Sequence, residues 1–195
     1  MTAYADNECV PRGDSAVSVW ALFTRSEEPI GKAIRFAAGE PWQHAGIGFT
    51  LADGEGVYYE AHWNDGFAGP KPLERLLTWG RKAAGNEYVI VPLPRLPQER
   101  AQDIRACAQA LTGIASYGRA QLFWMLLFER WRIPVPRSPA KMVCSEALAR
   151  LVQPEYDLRD RAHRTWDVVT PASAWRRLME YEAGYSHWTG PPRPA

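Results

Sequence analysis

The chain has 195 residues, with Lys+Arg 23 against Asp+Glu 22, a net charge of +1, and hydrophobic and aromatic fractions of 46% and 12%. That length suits one domain with a substantial core, and the apolar content excludes a disordered chain. Near-neutrality excludes the one-sign field that draws in nucleic acid or an anionic membrane surface.

Residues 1–8 have neither the basic start nor the apolar stretch of a signal peptide, so a cytoplasmic protein is expected. Residues 1–10 read as an N-terminal arm, 11–182 as a single domain and 183–195 as a Pro-rich loose tail. Gly13-Asp14 makes a turn before a strand over 15–22, which accounts for Arg12-Gly13-Asp14 without an adhesion role. A helix over 29–38 places Ile30, Ala33, Ile34 and Ala37 on one stripe. Strands over 44–51 and 56–62 flank the Asp53-Gly54 turn step. Pro72 opens a short helix with Leu73, Leu76 and Leu77, ended by Gly80, and 88–91 is a short strand. Residues 98–111 form an amphipathic helix with Ala101, Ile104, Ala108 and Leu111 inward. An aromatic helix over 119–132 contains the apolar run 122–128, too short for the roughly 20 residues of a membrane span. A stiff connector over 134–139, a helix over 144–152, and a last helix capped by Thr170 and opened by Pro171 complete the chain. Strands gathered first and helices added around them indicate an α+β fold with a mainly antiparallel sheet.

Three cysteines are too few for a disulfide framework and read as reduced thiols. Cys9 lies in the arm. Cys107 sits in an alanine-rich helix, where a small core role is expected. Cys144 follows a proline-interrupted segment and opens a helix, where unpaired amides and the helix dipole favour a thiolate. A nucleophilic thiol needs a base. His163 lies in a charged stretch and His187 near the tail, whereas His44 begins a strand with Gly46 and Gly48 on its own face, shallow enough for a helix or a substrate backbone to lie close. Glu60 or His62, of one parity on the next strand, could orient the imidazole of His44. A three-residue turn would place His62 opposite His44, and a turn centred on Ala52 would place Glu60 there. The arginines of 158–164 and 176–177 are interrupted by acids and read as solvated surface. Neither a His-Glu-x-x-His run nor paired-cysteine spacing occurs, so no metal or other cofactor is expected.

The order Gly13-Asp14, Ile34-Arg35-Phe36 with Gly39, then Trp42-Gln43-His44-Ala45-Gly46-Ile47-Gly48, Tyr59-Glu60-Ala61 and Val143-Cys144-Ser145-Glu146 resembles the circularly permuted NlpC-type papain-like cysteine hydrolases. The likeness is to the YiiX-like branch, related to the lecithin retinol acyltransferase group, in which the histidine precedes the cysteine. It covers most of residues 11–180 and implies a permuted papain-like fold. Cys144 then matches the nucleophile, His44 the general base and Glu60 the third polar residue. Tyr117 stands where such proteins often carry a tyrosine. Gln43 departs from the pattern, because a small hydroxyl residue is common there, and the aromatic helix matches no motif of the family.

The implied activity is cleavage of a peptide or amino-acid amide bond through a thioester acyl-enzyme. The partner is a peptide-like or acyl-containing small substrate, with no nucleic acid and no transmembrane segment; the oligomeric state is not indicated. A lipid-directed acyltransferase or thioesterase is the alternative, motivated by the aromatic helix. A non-catalytic binding module of the same fold is the second.

Overall fold

The computed structural model describes residues 16–38, 41–62, 66–82, 85–114, 116–117, 141–158 and 169–182. In chain order the elements are β1 (Ala16–Arg25), α1 (Pro29–Ala38), β2 (His44–Leu51), β3 (Gly56–His62), β4 (Gly66–Pro72), α2 (Leu73–Lys82), β5 (Glu87–Pro92) and α3 (Gln98–Leu111). The two-residue strands β6 (Ser116–Tyr117) and β7 (Lys141–Met142) follow, then α4 (Cys144–Val152) and α5 (Pro171–Glu182).

Five strands form an antiparallel sheet in the order β4-β3-β2-β1-β5, while β6 and β7 pair in parallel. Period-two alternation divides the sheet's residues between two cores. Phe23, Ala45, Ile47, Phe49 and Tyr59 join buried residues of α3, α4 and α5 in the main core. On the opposite face Trp20, Leu22 and Tyr58 meet Leu76 of α2, with Leu73 and Trp79 packed around them. The architecture is therefore the expected α+β class, an antiparallel sheet with helices on its faces.

The β2–β3 turn follows from its sequence. Gly54 takes φ +88°, which favours glycine, Leu51 N–H donates to Glu55 O at 2.8 Å, and Asp53 Oδ1 accepts from Glu55 N–H at 2.9 Å. At α5, Thr170 Oγ1 accepts from Ser173 N–H at 3.0 Å and Ser173 Oγ accepts from Thr170 N–H at 2.9 Å, a reciprocal cap.

Several expectations are corrected. Gly66–Pro72 forms edge strand β4, which its two glycines and two prolines hid. Pro72 ends that strand rather than opening α2, and α2 runs past Gly80 to Lys82. Among the described side chains of α1, Gly31 and Ile34 are buried and Ala33 is exposed, while those of Ile30 and Ala37 lie outside the description. Cys107 is exposed, because the inward stripe of α3 runs through Ala101, Ile104, Arg105 and Ala108 and leaves residue 107 on the outer side. The arm over 1–10 with Cys9, the Gly13-Asp14 turn, Gly39, the aromatic helix 119–132, the connector 134–139, His163, His187 and the tail 183–195 lie outside the described residues.

The glycine face of β2 is also occupied differently from expectation. A Cβ at Gly48 would lie 2.1 Å from the Trp20 ring, and one at Gly46 would lie 2.8 Å from Tyr59 O. Trp20, not a helix, fills the shallow surface. Gly48→Ala is expected to destabilise the protein by about 1–3 kcal/mol, since a buried indole must shift. Denaturant midpoints measure this, and an unchanged midpoint would show that Trp20 is free to move aside.

Candidate active site

His44 is the first residue of β2, and the residue before it fixes where that strand starts. Gln43 N–H donates to Thr24 O at 3.2 Å, and the Gln43 side chain accepts from Ser26 N–H at 3.1 Å and from Arg35 Nη1 at 2.7 Å. Its Nε2 donates to Ser26 Oγ at 2.8 Å, and a Cβ at Gly31 would lie 2.2 Å from Gln43 Oε1. The unexpected glutamine thus clamps β2 to the β1–α1 connection and to α1.

Alternation assigns His44 to the face of Gly46 and Gly48, whereas α4 packs with Ala45, Ile47 and Phe49 on the other. The two meet around the end of β2, because His44 opens the strand and Cys144 opens the helix. Val143 is extended, with φ −97° and ψ 162°, and the first helical bond runs from Ala147 N–H to Val143 O at 3.0 Å. The Cys144 N–H stands ahead of that first bond, at the open start of the helix. Ser145 Oγ donates to Val169 O at 2.6 Å in a buried contact and anchors the helix start.

The β2–β3 ladder explains which residue reaches the imidazole. Its register, Gly46 opposite Glu60 and Ile47 opposite Tyr59, is that of a three-residue turn, which by extrapolation sets His62 opposite His44. The pairing nevertheless stops at Gly46–Glu60, while Ala61 and His62 continue to pair with Phe67 and Gly66 of β4. The ends of β2 and β3 part, His62 is exposed, and the diagonal neighbour Glu60 makes the contact. His44 Nε2 lies 2.8 Å from Glu60 Oε2.

With Nε2 taken by Glu60, Nδ1 is left for sulfur. The Cys144 sulfur lies near enough to the His44 side chain and to the backbone N–H groups of Ala45 and Ser145 for each of them to favour its thiolate. Glu60 carries its other oxygen against Lys71, with Nζ to Oε1 at 2.8 Å. Cys144 is 3% exposed, and the His44, Glu60 and Lys71 side chains are 18%, 14% and 15% exposed. Lys71 escaped the sequence reading because β4 itself did.

Burial opposes a charge on His44, but the Cys144 thiolate and the Glu60 carboxylate outweigh it and push the ring's pKa up to about 10. Burial likewise opposes the Cys144 thiolate, yet the imidazolium and the N–H groups aimed at sulfur hold the thiol below its ordinary value. Burial would raise Glu60, but His44 and Lys71 keep its carboxyl well below the usual carboxylate range. The shifts favour an imidazolium beside a thiolate, and with the Glu60 carboxylate and the Lys71 side chain the charges would alternate along the row. Such a row can present a nucleophile with a proton donor beside it.

Among the described residues no cluster of three or more His, Cys, Asp or Glu is placed to hold a metal ion. No helix among them is long and apolar enough to cross a membrane. Tyr117 pairs with Met142 across β6 and β7, on the approach to Cys144.

No protein-family model matches the chain, and no curated protein matches it. Among solved structures it is similar to the metalloprotein YiiX of Escherichia coli O157:H7. The identity is 16%, the TM-score is 0.45, and the match covers 83% of this chain and 92% of that one.

Proposed function

We propose that this protein is a cysteine hydrolase of the permuted papain-like kind, cleaving a peptide or amino-acid amide bond through a thioester. The observation that carries the reading is the unbroken run of contacts from the Cys144 sulfur through His44 to Glu60. Cys144 attacks the carbonyl carbon as a thiolate. The Cys144 N–H, at the open start of α4, stabilises the oxyanion. The imidazolium of His44 gives its proton to the departing amine, and the C–N bond breaks to leave a thioester. His44, now neutral, takes a proton from water, whose oxygen attacks the thioester and releases acid and thiolate. Glu60 holds the ring through Nε2 and stabilises its charged form.

A lipid-directed acyltransferase or thioesterase would use the same thiol, so the substrate class is what separates it from the amide reading. Trapping the acyl-enzyme with amide and ester substrate panels tests it: mass spectrometry should find the adduct on residue 144, formed with amides. Adducts on another residue overturn the site, and adducts formed only with long-chain acyl esters overturn the substrate class.

Glu60→Gln and His62→Gln separate the two candidates for orienting the ring. Glu60→Gln should lower kcat/KM about 100-fold, since it removes the charge that supports the imidazolium. His62→Gln should leave it within about twofold, as expected for an exposed residue outside the contact chain. A larger loss at His62 would reverse the assignment.

A further inference from the structure

The contact chain continues one residue beyond the three that the sequence suggested. A glutamate's terminal torsion is broad, so fixing one carboxylate oxygen constrains where the other points. Lys71 Nζ holds Glu60 Oε1 at 2.8 Å while Oε2 faces His44 Nε2 at 2.8 Å. We propose that Lys71 is a positioning residue that locks the Glu60 carboxylate onto the imidazole of His44, so that the site is a Cys144–His44–Glu60–Lys71 tetrad. This extends the hydrolase reading above and rests on it.

The geometry of β4 supports the role. Lys71 stands opposite Tyr58, whereas Ala68 stands opposite Glu60, so β4 carries one residue more than β3 across this interval. That bulge is built at Gly69-Pro70, where a Cβ on residue 69 would lie 2.4 Å from the Tyr59 ring. It leaves Lys71 on the face of Tyr58 and diagonal to Glu60, as Glu60 is to His44. Both members of the pair are largely withdrawn from water, and an ammonium so placed is costly unless a carboxylate compensates it. The pair is therefore a built contact rather than a mobile surface bridge.

Among the described residues, His44 of β2 and Lys71 of β4 act on Glu60 directly, Cys144 of α4 lies beyond His44, and the Glu60 charge is felt by Tyr58 of β3, which Arg75 of α2 also faces. Burial and the Glu60 charge push Tyr58 up to about 12, so its hydroxyl stays neutral through the working range. Removing Lys71 subtracts a positive charge from the thiolate's surroundings and frees the carboxylate to rotate. Both effects make the thiolate harder to form.

The test is the pH dependence of iodoacetamide alkylation at Cys144, read by peptide mass. In Lys71→Met the acid limb should move up by about one pH unit, about a tenfold slower reaction at a fixed pH below the limb. Lys71→Arg, which keeps charge and donors, should hold the wild-type limb. Lys71→Gln, which keeps a donor but no charge, should fall between them and supplies the measurement if the methionine variant does not fold. An acid limb unmoved in Lys71→Met or Lys71→Gln, alongside a lower Tm, would make Lys71 only a fastener of the edge strand and overturn the proposal while sparing the hydrolase. Failure of arginine to hold the limb would overturn it too. A wild-type Cys144 that titrates as an ordinary thiol would overturn both.

Discussion

Cys144→Ala should abolish covalent capture of an electrophilic probe at the site and, on the proposed function, lower amide turnover by on the order of a million-fold, the scale on which a covalent enzyme loses its nucleophile. The substitution is small and the residue opens a helix whose first bond belongs to its neighbours, so the fold should survive it. Circular dichroism checks this. Cys107 is exposed and is the second thiol among the described residues, so the adduct must be mapped by peptide mass rather than counted. Capture that persists at residue 144's former position is chemically impossible; persistence of turnover would assign the reaction elsewhere.

His44→Gln is the second large effect, and its sign follows from the charge row. In the native site the imidazolium is the main influence holding the thiol below its ordinary value; without it, burial is opposed only by the Ala45 and Ser145 N–H groups and the thiol rises. Alkylation at pH 6 should then slow by on the order of 100-fold, because an ordinary cysteine is under about 1% thiolate there, partly offset by the greater nucleophilicity of a more basic sulfur. Turnover falls further, since the proton donor to the leaving amine is lost as well. The two assays also differ at high pH in the native protein. His44 keeps its proton through neutrality and loses it as pH passes about 10, so amide hydrolysis should decline there. Alkylation requires only the thiolate and should not. A hydrolysis rate that rises steadily through pH 10 would show that His44 gives no proton to the leaving group.

Period and punctuation made most of the frame legible. The helix over 144–152 and the strands over 44–51 and 56–62 match α4, β2 and β3, because proline stops and a turn with an Asp-Gly step fixed their ends. His44, Glu60 and Cys144, proposed from helix-start chemistry and strand parity together with the resemblance, do come into contact. Three features lay outside the reach of those signals. Edge strand β4 is written in glycine and proline, so the pattern that marks strands was absent and Lys71 went unnoticed. The early end of the β2–β3 ladder, which passes the contact from His62 to Glu60, depends on tertiary competition with β4. Gln43 looked like a misfit until its hydrogen bonds to Ser26 and Arg35 placed it in the fold.

The site is also divided unequally along the chain. His44 and Glu60 are 16 positions apart, and Glu60 and Lys71 are 11, all within one β2–β3–β4 meander. Cys144 follows far later and reaches the meander through α4. Local hairpin contacts form sooner than long-range ones, so during folding the carboxylate, imidazole and ammonium can assemble before any sulfur arrives. Until α4 docks, the thiol lacks the imidazolium and the Ala45 N–H that favour its thiolate. On the proposed function, activation of the thiol would then come last, and a thiolate at Cys144 would report that α4 has closed on the β2–β3–β4 meander.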